Sequence, residues 1–303
     1  MDDVNSGILK NKIINNMILD ECYEASRIII HNANNANNAN NANNANNANN
    51  ANNANNANNA NNANNANRTK YFIIKYGPPA SGKGSIVSNI CEILGINNFI
   101  DINVDLYVRL LANKANIIEI TQPIYWKLRK LGITPAEAAQ AAKGAKAAPG
   151  PADDLSDMVL AKAIENGDNI MWETTGSGKD VNWIIDDYIK EIQKNGYQII
   201  LAIPLVKIEE IIKRCAARKQ ASICTKSYIL PKKIESSDNF ETIANNCDRV
   251  FIYDNNKAKP QLIYDSDNRG GTCVNSSYIE SNANIEPIKN YMQKNCKKPS
   301  KKI

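Results

Sequence analysis

The sequence predicts an α/β protein built on a doubly wound parallel sheet, and three observations carry that expectation. From Lys70 onward, short β-rich apolar runs alternate with helix-patterned segments. The spacing between runs is long enough for the crossover helices that parallel strands require. The first run ends in a Gly-rich turn that opens straight into a helix.

Taken in order, KYFIIKY (Lys70 to Tyr76) reads as a buried parallel strand ending at Gly77. Ser85 to Leu94 reads as a helix stopped by Gly95. NNFIDINVD is a second strand that closes on Asp105, and Leu106 to Lys130 is helical with a break near Thr121 to Pro123. Leu155 to Glu165 is helical, with Gly167 as its stop. NIMWETT is the third strand, with Trp172 in the core. Val181, Ile184, Ile185, Tyr188 and Ile192 share one face of a helix over 179–195. YQIILAIPL is the fourth strand, and the basic helix Ile208 to Lys219 follows it. Gln220 to Phe240 is polar, carries Pro231 and offers little core; a short helix then leads into RVFIYDNN, a fifth strand, with QLIYD at an edge.

The predicted domain spans 68–265, with an Ala-rich insertion over 132–153. Before it lie an amphipathic helix within 1–31, able to pack on the domain or on a protein partner, and an Ala-Asn-Asn repeat over 32–67. The repeat has no large apolar residue to bury and cannot offset the entropy of ordering it, so disorder is the expectation there. Residues 266–303 form a basic extension, with Lys294, Lys297, Lys298, Lys301 and Lys302 on a frayed end.

Composition removes several function classes. The 36 Lys+Arg against 31 Asp+Glu leave a mild positive excess that requires no nucleic-acid partner. The single histidine, His31, abuts the repeat, which excludes histidine-dependent catalysis. Seven scattered cysteines without a C-x-x-C pair argue against a disulfide framework or zinc site and for a reducing, cytoplasmic setting. The acidic start and the lack of an apolar run near the roughly 20 residues of a membrane span point away from secretion and membranes.

Chemistry concentrates in GPPASGKGS: Gly77, Pro78, Pro79, Ala80, Ser81, Gly82, Lys83, Gly84 and Ser85. A strand, a Gly-rich turn and a helix are the context in which such a segment forms a phosphate-binding P-loop. Backbone N–H groups converge on phosphate oxygens, the helix start adds its positive dipole end, and Lys83 supplies a mobile cation. Gly84 stands where the strict pattern has Ser or Thr, and Ser85 brings a hydroxyl one residue later, near the expected Mg2+.

The GKGS variant resembles the loops of adenylate kinase and its relatives. The wider chain, over about 68–255, looks more like the zeta-toxin and chloramphenicol-phosphotransferase group of P-loop kinases. That resemblance rests on the loop, an aspartate closing the second strand, an E-x-T element in the third, and a basic helix after the fourth. It implies ATP as phosphate donor and Mg2+ as its companion.

Asp105, 22 residues past Lys83, is placed to accept a proton from a substrate hydroxyl. The resemblance implies the same role, and helix capping is its bland alternative. Arg109 lies four residues on, one helical turn, whereas the related kinases carry an arginine three residues after the aspartate; it is a substrate-side candidate with Glu173 and Thr174. Arg214 and Arg218, four apart, share a helix face from which both could steady the transferring phosphoryl. Asp254 and Asn255 follow the last strand, where such folds border the base.

Three functions fit: a phosphotransferase acting on a small-molecule hydroxyl such as that of a nucleotide sugar, a nucleoside or nucleotide kinase, and a nucleotide-binding module without turnover.

Overall fold

The computed structural model describes residues 19–30, 69–114, 151–217, 225–266, 272–273 and 286–296. The Ala-Asn-Asn repeat, positions 132–150 of the Ala-rich insertion, and Arg218 lie outside them. In chain order the elements are α1 (19–26), β1 (Arg27–Ile29), β2 (Lys70–Tyr76), α2 (Val87–Leu94), β3 (Asn98–Ile102), α3 (Val104–Lys114), α4 (Pro151–Asn166) and β4 (Ile170–Thr174). There follow α5 (Lys190–Lys194), β5 (Tyr197–Leu205), α6 (Ile208–Ala217), α7 (Lys226–Ala244), β6 (Arg249–Asp254), β7 (Gln261–Asp265), β8 (Thr272–Cys273) and α8 (Glu286–Asn295). The α/β class read from the sequence is the class observed, with a mostly parallel sheet.

The chain divides into two compact units. The first comprises Met1–Ile28 and Asn98–Trp172. In it β3 and β4 pair in parallel, with Ile100 opposite Ile170 and Ile102 opposite Trp172. Trp172 is buried, as read. Residues 19–26 pack within this unit: Cys22, Tyr23 and Ser26 are all buried. Ser26 Oγ lies 2.9 Å from the buried Tyr107 hydroxyl, and Asn166 donates to the Tyr23 hydroxyl at 2.7 Å. Tyr23 in turn donates to Asp168. Burial, then the Asp168 carboxylate, pushes its phenol up to about 12, so it remains a donor.

The second unit comprises Ile29–Asn97 and Glu173–Ile303. Here β2 pairs with β5 and β5 with β6, both parallel, from Lys70 opposite Tyr197 to Leu205 opposite Asp254. Phe72, Ile73, Ile74, Ile199, Leu201, Phe251 and Ile252 are buried on both faces of these strands, which explains their continuous apolar runs. β7 adds antiparallel to β6, and β8 to β7. The helix expected over 179–195 contains a π-helical stretch, Ile184–Ile189, that turns Ile184, Ile185 and Ile189 inward.

Three expectations change in this unit. The polar stretch around Pro231 is one continuous helix, α7, capped by Thr225, whose hydroxyl accepts from the Tyr228 N–H at 3.3 Å. It buries Ile229, Ser236, Ser237, Phe240 and Ile243, and its small serines were not legible as core. The C-terminal extension is not wholly frayed: α8 packs on α7, burying Ile288, Tyr291 and Met292, with Tyr291 edge-on to Phe240. Finally, Cys215 and Cys296 are each in a disulfide, where the scattered cysteines argued against a disulfide framework. Scatter along a chain says little about which cysteines a fold brings together.

Gly176 shows how tightly the turn after β4 is held. Its φ is +59°, and an added Cβ would lie 1.9 Å from Tyr76 Cε2. Tyr76 is itself fixed by donating to the carbonyl of Ser236 at 2.7 Å. Gly176→Ala combines a left-handed backbone penalty with overpacking, and we expect a loss on the order of 3 kcal/mol in urea unfolding. An unchanged midpoint would show that the turn can move aside.

Candidate active site

The second unit brings most of the expected phosphate-binding residues together. β2 delivers the chain to Gly77, whose N–H donates to the Thr174 carbonyl at 3.2 Å, so the loop starts against the end of β4. Ala80 takes φ +59° at the top of the loop and packs into an apolar cluster with Val206, Ile208, Ile211 and Cys215. That cluster seats α6 against the loop. Lys83 to Ile86 form a short 3-10 turn that leads into α2, a tighter start than the α-helix expected from Ser85.

Lys83 is only 5% exposed. Its Nζ donates to the carbonyls of Gly77 at 2.7 Å and Pro78 at 3.0 Å. It also lies 3.3 Å from Glu173, whose side chain is 41% exposed. The same carboxylate stands 3.8 Å from Lys75, a buried lysine near the end of β2. A lysine inside an apolar strand was the signal for Lys75, and sequence reasoning passed over it. Two ammonium groups therefore converge on one half-exposed carboxylate beside the loop. The Thr174 hydroxyl is occupied locally, accepting from the Gly176 N–H at 3.2 Å.

Arg214 reaches the loop from α6. Its Nε donates to Glu210 at 2.9 Å and its Nη2 to the Asn255 carbonyl at 2.8 Å. Its Nη1 is 3.4 Å from where a Cβ on Gly82 would sit. Gly82 has φ +84°, and the same Cβ would fall 2.2 Å from Asn255 Nδ2, so only glycine fits between these groups.

Behind Pro78 is a small cavity, about 20 Å3, lined in part by Lys233, Ser236 and Ser237. It has room for little more than one water and cannot house an acceptor. Burial lowers the affinity of the Lys233 amine for its proton.

Asp105 and Arg109 belong to the first unit. The strand expected to close on Asp105 ends at Ile102, and Asp105 sits in the first turn of α3, exposed. The cap is Asn103, whose Oδ1 accepts from the Asp105 N–H at 3.0 Å. That amide serves one of the helix-start N–H groups, and Asp105 stands within the same first turn. Arg109 is exposed one turn further along. Among the described residues no cluster of three or more His, Cys, Asp or Glu could hold a metal, and no helix is long and apolar enough to cross a membrane.

Comparison with known proteins adds to this geometry. The Zeta toxin family profile matches residues 133–269. That stretch holds Glu173, Arg214, Arg218 and Asn255. Over those residues the chain is similar to the Zeta toxin family. The match begins beyond the P-loop and Asp105, so those readings rest on this chain's own residues. No curated protein matches the chain. Among solved structures, a chain of the PezAT chromosomal toxin–antitoxin system of Streptococcus pneumoniae is 15% identical, with a TM-score of 0.43 over 78% of this chain and 81% of that one. A chain of the AvrRxo1-ORF1:ORF2 complex solved with ATP is 11% identical, with a TM-score of 0.50 over 73% of this chain and 65% of that one. This chain thus spans just under two thirds of that neighbour. The likeness to it is one of fold.

Proposed function

We propose that the chain is an ATP-dependent phosphotransferase that moves the γ-phosphate of ATP to a hydroxyl of a small molecule, with a nucleotide sugar as acceptor class. The observation that carries this reading is the pre-assembled loop: Lys83 buried on the Gly77 and Pro78 carbonyls, with Arg214 reaching across Gly82. The ATP-bound neighbour of the same fold supports ATP as the donor.

Lys83 moves from the carbonyls and Glu173 onto the phosphates, where charge-assisted hydrogen bonds offset the two carbonyl contacts and a solvent-screened pair with Glu173. Arg214 steadies charge on the equatorial oxygens as the acceptor oxygen bonds to the γ-phosphorus and the bridge to the β-phosphate breaks, releasing ADP. Asp105 takes the proton of the acceptor hydroxyl. Glu173, released by Lys83, is left to receive acceptor hydroxyls, with Arg109 as a further substrate contact and Arg218 as a second phosphoryl contact. The residues fit Mg2+, which needs few protein ligands when phosphates and water supply the rest. Ser85 would hold it, and the ion would neutralise charge on the β- and γ-phosphates. The occurrence of the ATP-bound neighbour in a two-component complex supports a protein partner, on a surface other than the buried face of α1.

The GKGS loop favours one second reading, a nucleoside or nucleotide kinase. Incubation with γ-labelled ATP and a panel of nucleotide sugars, nucleosides and monophosphates separates the two. Label on a nucleotide sugar is the expected result. Label only on nucleosides or monophosphates would move the acceptor class, and ATP binding without transfer to any of them would point to a non-catalytic module.

A further inference from the structure

We propose that Asn255 is the positioning residue that sets the Ser85 hydroxyl for Mg2+ and locks the P-loop to the arginine helix, an inference that rests on the ATP-binding reading above. Asn255 follows β6, where the sequence suggested a border for the base, yet its side chain enters the phosphate loop. It is only 2% exposed. Its Nδ2 donates to the Ser81 carbonyl at 2.8 Å, and its Oδ1 accepts from Ser85 Oγ at 3.3 Å. Its own N–H donates to the Leu205 carbonyl at 3.0 Å, and its carbonyl accepts from Arg214 at 2.8 Å. One residue therefore ties the loop, the end of β5 and α6 together.

The chemistry of a hydroxyl gives this arrangement a purpose. Ser85 has one proton and two acceptor lone pairs. Its proton is directed to the Gly82 carbonyl, at 2.7 Å, and to Asn255 Oδ1. Both are acceptors, so the hydroxyl cannot turn its proton toward an incoming cation, and its lone pairs remain presented on the exposed side of the loop. The Ser81 contact fixes the loop backbone one residue before Gly82. Asn is the side chain that does both at once, because it carries a donor and an acceptor on one planar group.

The test is calorimetric titration of the full chain with ATP, with and without Mg2+, for the parent, Asn255→Ala, Ser85→Ala and the double variant, with urea unfolding alongside. The parent should bind more tightly with Mg2+. Asn255→Ala should lose about tenfold in Mg2+-supported affinity, as loss of one or two hydrogen bonds implies, and its gain from Mg2+ should shrink. Because Asn255 acts through Ser85, the two losses in Mg2+ gain should not add in the double variant. An unchanged Mg2+ gain in Asn255→Ala, or fully additive losses, would overturn the proposal. Asn255→Asp covers the case in which the truncation fails to fold. It keeps the acceptor for Ser85 but loses the donor to Ser81 and adds a charge, so it should keep the Mg2+ gain while binding ATP more than tenfold more weakly. Parent-like affinity in that variant would also sink the idea. A parent that binds no ATP would instead remove the functional reading itself.

Discussion

Lys83→Ala is expected to lower phosphate transfer by about 10²–10³-fold, the usual cost of removing one pre-positioned donor from a developing anion. The structure also fixes what happens to the ligand-free protein. Lys83 Nζ serves the carbonyls of Gly77 and Pro78, and its removal takes the ammonium donor from both acceptors. A stability loss of about 1–2 kcal/mol follows. The pair with Glu173 adds little to that figure, since the carboxylate is 41% exposed and solvent-screened. Lys75 remains beside Glu173, so the carboxylate keeps a cation. The checks are steady-state transfer rates together with urea unfolding. Parent-like turnover in Lys83→Ala would remove the lysine from the chemistry.

Asp105→Asn should slow transfer to the true acceptor by about 10²–10⁴-fold, the typical worth of general-base assistance. Its effect on stability should be small, because the cap of α3 is the Asn103 side chain and not Asp105. The substitution keeps the side chain's shape and removes its capacity to take a proton. ATP affinity should therefore stay near that of the parent. Rates are to be compared on the labelled acceptor and not by ATP hydrolysis, in which water replaces the hydroxyl. Near-parent transfer in Asp105→Asn would make the carboxylate structural and turn attention to Glu173.

Local features of this protein were legible in its sequence because local rules produce them. Strand, loop and helix around Lys83 follow from a β-rich run, glycines at fixed places and a helix that begins at once. Arg214 was legible from its place on the helix after a strand. Features that depend on distant approach were not. Asn255 meets Ser85 across 170 positions and Ser81 across 174, and no periodicity marks it. The same holds for Tyr23, which finds Asn166 across 143 positions, so the sequence left open whether α1 packs on the domain or on a partner. Lys75 and Asn103 left weaker signals: a charge inside an apolar strand, and an Asn ahead of a helix. α7 was hidden by Pro231, which suggested a break where Thr225 and the buried serines support a continuous helix.

The central claim is that the loop from Gly77 to Ser85 binds ATP, and isothermal titration of the full chain with ATP in the presence of Mg2+ tests it most directly. The account predicts one saturable site per chain, strongly weakened in Lys83→Ala. No saturable binding by the folded parent, or equal binding by parent and Lys83→Ala, would contradict it.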